Sequence, residues 1–142
     1  MRARGELSLV LVTGVFDLLH QEHLNFLKQA QEAGDLLVVG LESDQRVKAL
    51  KGWRRPIQSE NKRRQQLMSL ALADWVFILP TNFSQEKVRL ELLQCFKPEV
   101  LAVSSHSPHL AEKKALLAKV GGEVQIVYKH NPAISTSQLL VE

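Results

Sequence analysis

Two histidines, His20 and His23, stand three residues apart just after the segment Thr13-Gly14-Val15-Phe16-Asp17. At the start of a helix, an i, i+3 pair shares one face, and the free N–H groups of the first turn are open to an anion. Gly14, lacking a Cβ, lets the backbone turn sharply and lets a ligand approach closely. Asp17 sits where the chain leaves that turn. A glycine turn followed by a helix start with two imidazoles is a phosphate site. The same spacing fits ordinary surface or capping histidines, or half of a zinc site, and His106 and His109 repeat it. No cysteine lies near either pair and the carboxylates do not cluster with them, which weighs against metal.

These residues need a scaffold, and the hydrophobic pattern supplies one. Leu9 to Val12 is a short apolar run, half of it β-branched, as in a strand buried on both faces of a parallel sheet. Residues 22–33 carry apolar side chains at 24, 26, 27, 30 and 33, which predicts a helix with Gly34 as its cap. Residues 36–41 are a second strand, completing a right-handed βαβ unit. A short helix capped by Ser43 or Asp44 ends at Gly52. A loop covers 53–58, and Ser59 caps a helix to about Leu72 with Leu67, Met68, Leu70 and Ala71 turned inward. Residues 73–80 form a third strand, stopped by Pro80. Residues 84–96 form a helix with Val88, Leu90, Leu92 and Leu93 as core candidates. A strand at 100–103, a helix at 108–120 ended by Gly121-Gly122, and a strand at 123–128 follow. A short helix over 135–141, capped by Ser135 or Thr136, closes the chain.

Alternating strands and helices predict an α/β fold: one domain over residues 1–142, a doubly wound, Rossmann-like parallel sheet of five strands. Ligands of such sheets bind beyond the carboxyl ends of the strands. That rule selects Thr13–His23, Glu42–Arg55, Ser104–His109 and Lys129–Thr136.

Composition narrows the class. In 142 residues, 45% are hydrophobic and 23% charged, as in ordinary soluble globular proteins. A net charge of +3 suits anionic ligands without requiring nucleic acid. Cys95 is the single cysteine, so no intrachain disulfide forms and a reducing, cytoplasmic setting fits. Met1-Arg-Ala-Arg before Leu7–Phe16 superficially resembles a signal peptide, but Glu6 interrupts, Asp17 follows and no small-residue cleavage site appears. No apolar stretch reaches the roughly 18 residues of a membrane span. Lys48, Lys51, Arg54, Arg55, Lys62, Arg63 and Arg64 make residues 48–64 basic. Charge runs usually sit in water; Trp53 among them is suited to stacking on a base or simply to covering the loop. Nothing resembles a nucleic-acid-binding module.

Gly14-Val-Phe-Asp-Leu-Leu-His-Gln-Glu-His resembles the G-x-F-D-x-x-H-x-G-H signature of the cytidylyltransferase-like nucleotidyltransferases. Ser43-Asp44, Leu50-Lys51-Gly52, Arg55-Pro56, Arg63, Ala73-Asp74-Trp75-Val76, Gly121-Gly122-Glu123-Val124 and Ile134-Ser135-Thr136-Ser137 follow in the family's order. The resemblance runs from about residue 8 to 140. It is closest to domains that adenylylate heptose 1-phosphate and to glycerol-3-phosphate cytidylyltransferases, and it implies the HxGH-type fold.

The resemblance implies transfer of a nucleoside monophosphate from ATP or CTP to a small phosphorylated sugar or polyol, releasing pyrophosphate. The partners it implies are the nucleoside triphosphate and that phosphorylated substrate, with neither nucleic acid nor membrane; relatives often form homodimers, though nothing in the sequence fixes assembly. It assigns His20, His23, Lys51 and Arg63 to catalysis. Thr13, Gly14, Val15, Phe16, Asp17, Ser135 and Thr136 are assigned to the nucleotide. Mg²⁺ is expected as a bridge between phosphates rather than in a protein cage. Three stretches depart from the pattern. Glu22 replaces the glycine between the histidines, Ser104-Ser105-His106-Ser107-Pro108-His109 replaces a Gly-Asp element, and His130-Asn131-Pro132-Ala133 replaces an arginine and a glycine. These motivate an alternative, a non-catalytic nucleotide-binding or regulatory protein on the same fold.

Overall fold

The computed structural model describes residues 7–129. Its elements run β1 (Leu9–Gly14), α1 (Gln21–Gln31), β2 (Leu36–Leu41), α2 (Asp44–Lys51), α3 (Glu60–Ser69), β3 (Trp75–Ile78), α4 (Glu86–Phe96), β4 (Val100–Ser104), α5 (Leu110–Lys119) and β5 (Glu123–Tyr128). The strands pair in parallel in the order β3-β2-β1-β4-β5, the doubly wound arrangement expected. The helix expected over 135–141, with Ser135 and Thr136, lies outside the described residues.

Side chains alternate strictly across the sheet, because successive Cβ atoms of a strand point to opposite faces. Val10, Val12, Leu37, Val39, Val100 and Ala102 pack with Leu27 and Ala30 of α1 and Leu67 of α3. Leu11, Val38, Leu101 and Val103 point the other way, onto Leu93 of α4 and Leu116 and Leu117 of α5. Both faces are covered, which is why the central strands β1, β2 and β4 are almost wholly apolar, whereas the edge strand β5 carries Glu123 and Gln125. The carboxyl ends of neighbouring β1 and β4 are where the winding reverses, the crevice in which such folds bind ligands.

Caps set the helix starts. Ser43 Oγ accepts the Arg46 N–H at 3.1 Å and Ser59 Oγ accepts that of Lys62 at 3.2 Å. Several expectations need correction. The helix before β3 stops at Ser69, with Ala71 at φ 56°, so the chain turns away before Leu72. Met68, one position round the helix from buried Leu67, faces out at 40% exposed, and Ala71 is exposed too. Strand β3 covers only Trp75–Ile78 of the expected 73–80, while α4 and α5 each start two residues later than expected. Gly34 is not the cap of α1, which is Glu32. A Cβ on Gly34 would lie 2.7 Å from Val10 Cγ2, so glycine is needed there for close packing. Gly14 likewise is required by the Phe16 ring, 2.8 Å from where its Cβ would stand; the positive φ angles of the turn fall on Phe16 and Leu18.

The loop over residues 53–58 is tied to this turn by Asp17. Its two carboxylate oxygens accept the Ile57 and Gln58 N–H groups at 2.6 and 3.0 Å, and Gln58 Oε1 accepts the Leu18 N–H at 3.1 Å. An amide in place of the carboxylate would set an NH₂ against one of these donors. Asp17→Asn is expected to cost about 1–3 kcal/mol, read as a lower urea midpoint with an unchanged m-value.

Candidate functional site

Two adjoining cavities open at the carboxyl ends of β1 and β4. The first, about 350 Å³, is walled by Thr13, Gly14, His20, Glu22, His23 and the β4–α5 segment Ser104, His106 and Ser107. The second, about 470 Å³, lies on the side of α2 and α4 and takes in Val15, Glu42, Arg46, Lys51 and Arg89. Thr13, Gly14, Pro108 and Lys113 border both.

The histidines are held by the helix they begin. His20 is the N-cap of α1: its Nδ1 accepts the Glu22 N–H at 3.2 Å, while His23 Nδ1 accepts the His20 N–H at 3.2 Å. This is a capping box built from two imidazoles in place of the usual hydroxyl and carboxylate. The rings stack with centroids 4.0 Å apart, and His23 leans on Phe16 at 5.4 Å. A ring that accepts at Nδ1 carries its proton at Nε2 when neutral. Each ring is therefore fixed in tautomer as well as in position, and Nε2–H is the group it has to donate.

On the second cavity, Glu42 and Lys113 are partly desolvated. Glu42 lies 3.3 Å from Arg46 Nε. Burial pushes the Glu42 carboxyl above the usual carboxylate range, with Arg46, Arg89 and Arg63 pulling the other way. Lys113, on the first turn of α5, donates from Nζ to Ser107 Oγ at 2.7 Å. Burial, and then the charge of Arg89, hold this lysine below the usual range for its type. Arg89 Nε donates to the Phe83 carbonyl at 2.8 Å.

The structure brings Thr13, Gly14, Val15, His20, His23 and Lys51 together on these walls, Lys51 at the exposed end of α2. It separates three others. Phe16 is buried with its ring behind His23, and the Asp17 carboxylate, 1% exposed, faces the 57–58 backbone. Arg63, 0% exposed, donates to the carbonyls of Gln58, Val15 and Glu42 and to Asp44 Oδ1, at 2.8–3.1 Å. Its guanidinium lines neither of the two cavities, and its donors are engaged by these four acceptors, a geometry that suits holding the surrounding backbone in place. Ser135 and Thr136 lie outside the described residues. Lys113, Arg46 and Arg89 went unrecognised in the sequence: a lysine within Glu112-Lys113-Lys114 of a helix reads as a solvated charge, and only the packing of α5 on β4 and β5 turns it inward.

The comparisons with known proteins agree with this architecture. The family model described as cytidylyltransferase-like matches residues 11–140. The chain belongs to the cytidylyltransferase-like family. Among similar relatives, the bifunctional protein HldE of Pelobacter propionicus is 39% identical over 127 residues, 89% of this chain and 25% of that protein. HldE of Helicobacter pylori strain P12 is 43% identical over 94 residues, 66% of this chain and 19% of its own length. The chain thus spans about a quarter or less of the curated relatives it matches. A lipopolysaccharide core biosynthesis protein from Thermoplasma volcanium superposes with a TM-score of 0.68 at 27% identity, covering 89% of this chain and 98% of that one. Pantothenate synthetase from Thermus thermophilus, at 12% identity and a TM-score of 0.61 over 95% of this chain and 62% of that one, shares the fold. This member of the nucleotidyltransferase fold keeps the two histidines of the signature and carries Glu22, 6% exposed, between them.

The two roles open to Arg63 give different outcomes on substitution. Arg63→Met is expected to lower stability by about 3 kcal/mol or more, the scale of breaking a buried ion pair on one side, in urea unfolding. A variant of normal stability with lost phosphate binding would restore the expected contact role.

Proposed function

We propose that this chain transfers a nucleoside monophosphate from ATP or CTP to a small phosphorylated sugar or polyol, releasing pyrophosphate. The observation that carries this reading is the stacked, mutually capped pair His20 and His23 in the wall of a cavity at the β1–β4 crevice. Similarity to HldE proteins and to a lipopolysaccharide core biosynthesis protein favours a sugar phosphate as acceptor. Two adjoining cavities suit a two-substrate reaction, with the triphosphate beside the histidines and the acceptor on the side of Arg46 and Lys51.

An oxygen of the acceptor phosphate attacks the α-phosphorus in line. The bond from that phosphorus to the bridging oxygen of the β-phosphate breaks, and its electron pair leaves with pyrophosphate. No covalent enzyme intermediate is needed; the protein holds the reactants in line and meets the charge that builds on the phosphate oxygens. His20 and His23 would donate from Nε2 to triphosphate oxygens, and Thr13 to Phe16 would offer backbone N–H groups. Lys51 would reach phosphate from the rim. Following the family pattern, Ser135 and Thr136 would meet the β- or γ-phosphate. Among the described residues no group of three or more histidine, cysteine, aspartate or glutamate side chains is placed to hold a metal by itself. Glu22 is the one carboxylate on the wall of the histidine cavity. One carboxylate plus phosphate oxygens is a donor set that suits Mg²⁺, so Glu22 would hold the ion, which neutralises phosphate charge when bound.

Pyrophosphate release is to be measured with Mg²⁺, ATP or CTP, and a panel of sugar and polyol phosphates. Release with at least one pair is expected; none from folded protein would remove the reading, and calorimetric triphosphate binding without turnover would leave a nucleotide-binding protein in its place. His20→Ala and His23→Ala are each expected to lower turnover by at least about 100-fold, the scale for losing a transition-state donor. Their loss of stability should stay near about 1 kcal/mol, the scale of a lost cap. Near-normal turnover would withdraw their role. Glu22→Gln is expected to raise the Mg²⁺ concentration needed for half-maximal release; an unchanged requirement would place Glu22 outside the metal site.

A further inference from the structure

We propose that Lys113 is the cation that meets the phosphate being transferred, contacting the α-phosphate of the nucleotide where the two cavities join. This rests on the nucleotidyl-transfer reading above and assigns a residue that no part of the signature contains. If one substrate lies in each cavity, the reacting phosphorus must lie where the cavities adjoin. Thr13, Gly14, Pro108 and Lys113 line that junction, and Lys113 is the charged one of them.

The side chain is placed rather than loose. One of its three ammonium hydrogens goes to Ser107 Oγ at 2.7 Å, which aims the group and leaves two donors for phosphate oxygens. Among the described residues its charge pairs with no carboxylate. The nearby cations are otherwise engaged: Arg63 is inside its own network, Arg46 faces Glu42, and Arg89 is turned to the Phe83 carbonyl. Burial and the charge of Arg89 disfavour the ammonium in the absence of an anion, and a phosphate at the junction would reverse that cost. A cation that is desolvated, aimed and unneutralised is arranged for an anion that arrives with the substrate. During transfer Lys113 stays protonated. It donates hydrogen bonds to the non-bridging oxygens while the new P–O bond forms and the bond to pyrophosphate breaks.

The test uses the whole chain and its Lys113→Met and Lys113→Arg variants, with thermal unfolding as the control for folding. Calorimetry compares AMP with adenosine and CMP with cytidine, so that the α-phosphate alone is the difference. In the wild type the monophosphate is expected to bind at least tenfold tighter than its nucleoside. Lys113→Met should abolish that advantage while leaving nucleoside affinity within twofold, and Lys113→Arg should restore at least a third of it. In the pyrophosphate assay, Lys113→Met should lower kcat/KM for the triphosphate by at least 100-fold, more than the monophosphate binding advantage it removes. An intact monophosphate advantage in Lys113→Met, or none in the wild type, would overturn the proposal. A wild type that binds monophosphates through Lys113 but releases no pyrophosphate would retire the transfer reaction and keep the phosphate contact.

Discussion

The geometry of the crevice depends on one buried guanidinium. Arg63 reaches from α3 to the carbonyls of Val15 and Glu42 and to Asp44, so a single side chain joins the ends of β1 and β2 to the start of α2. A buried guanidinium is tolerable only when its donors are met. Four hydrogen bonds at good distances meet that condition and leave it no reason to move. The loops that wall the cavities are thereby fixed from beneath. Asp17 does the same from the other side, accepting two backbone N–H groups of the 57–58 segment. Two residues that look like ligand contacts in the signature thus spend their polar atoms on the backbone beneath the cavity walls.

This division explains which parts of the site were legible in the sequence. Strand and helix types, their order and the sheet's winding followed from hydrophobic spacing and from caps at Ser43 and Ser59, because those patterns are local. Boundaries slipped where a positive φ at Ala71 or His109 overrode the pattern. The placement of His20 and His23 was legible because it is local: the same spacing that caps α1 puts both rings on one wall. Arg63 and Asp17 were legible as important and not as to why, since a motif records position and not which way a side chain points. Lys113 carries no local signal; its meaning arises only when β4 is laid beside β1.

Charge placement gives the crevice a direction. Around the first cavity the two imidazoles are set by backbone N–H groups that donate to each Nδ1. Around the second cavity the groups are ionic, with Glu42 and Arg46 in contact and Arg89 close enough to shift both Glu42 and Lys113.

Glu22 fits this division better than it fits simple repulsion. It lies on the first turn of α1, where the helix dipole and free N–H groups favour a carboxylate, and its burial at 6% exposure places it in the cavity wall and not in solvent. A glycine there would leave the imidazoles facing the triphosphate with no anionic neighbour. On the proposed reading, a carboxylate there calls for a cation to come with the nucleotide. On that reading, Glu22 would therefore couple metal and triphosphate binding, because the carboxylate that the helix start accommodates alone would meet a polyanion beside it once the nucleotide is bound.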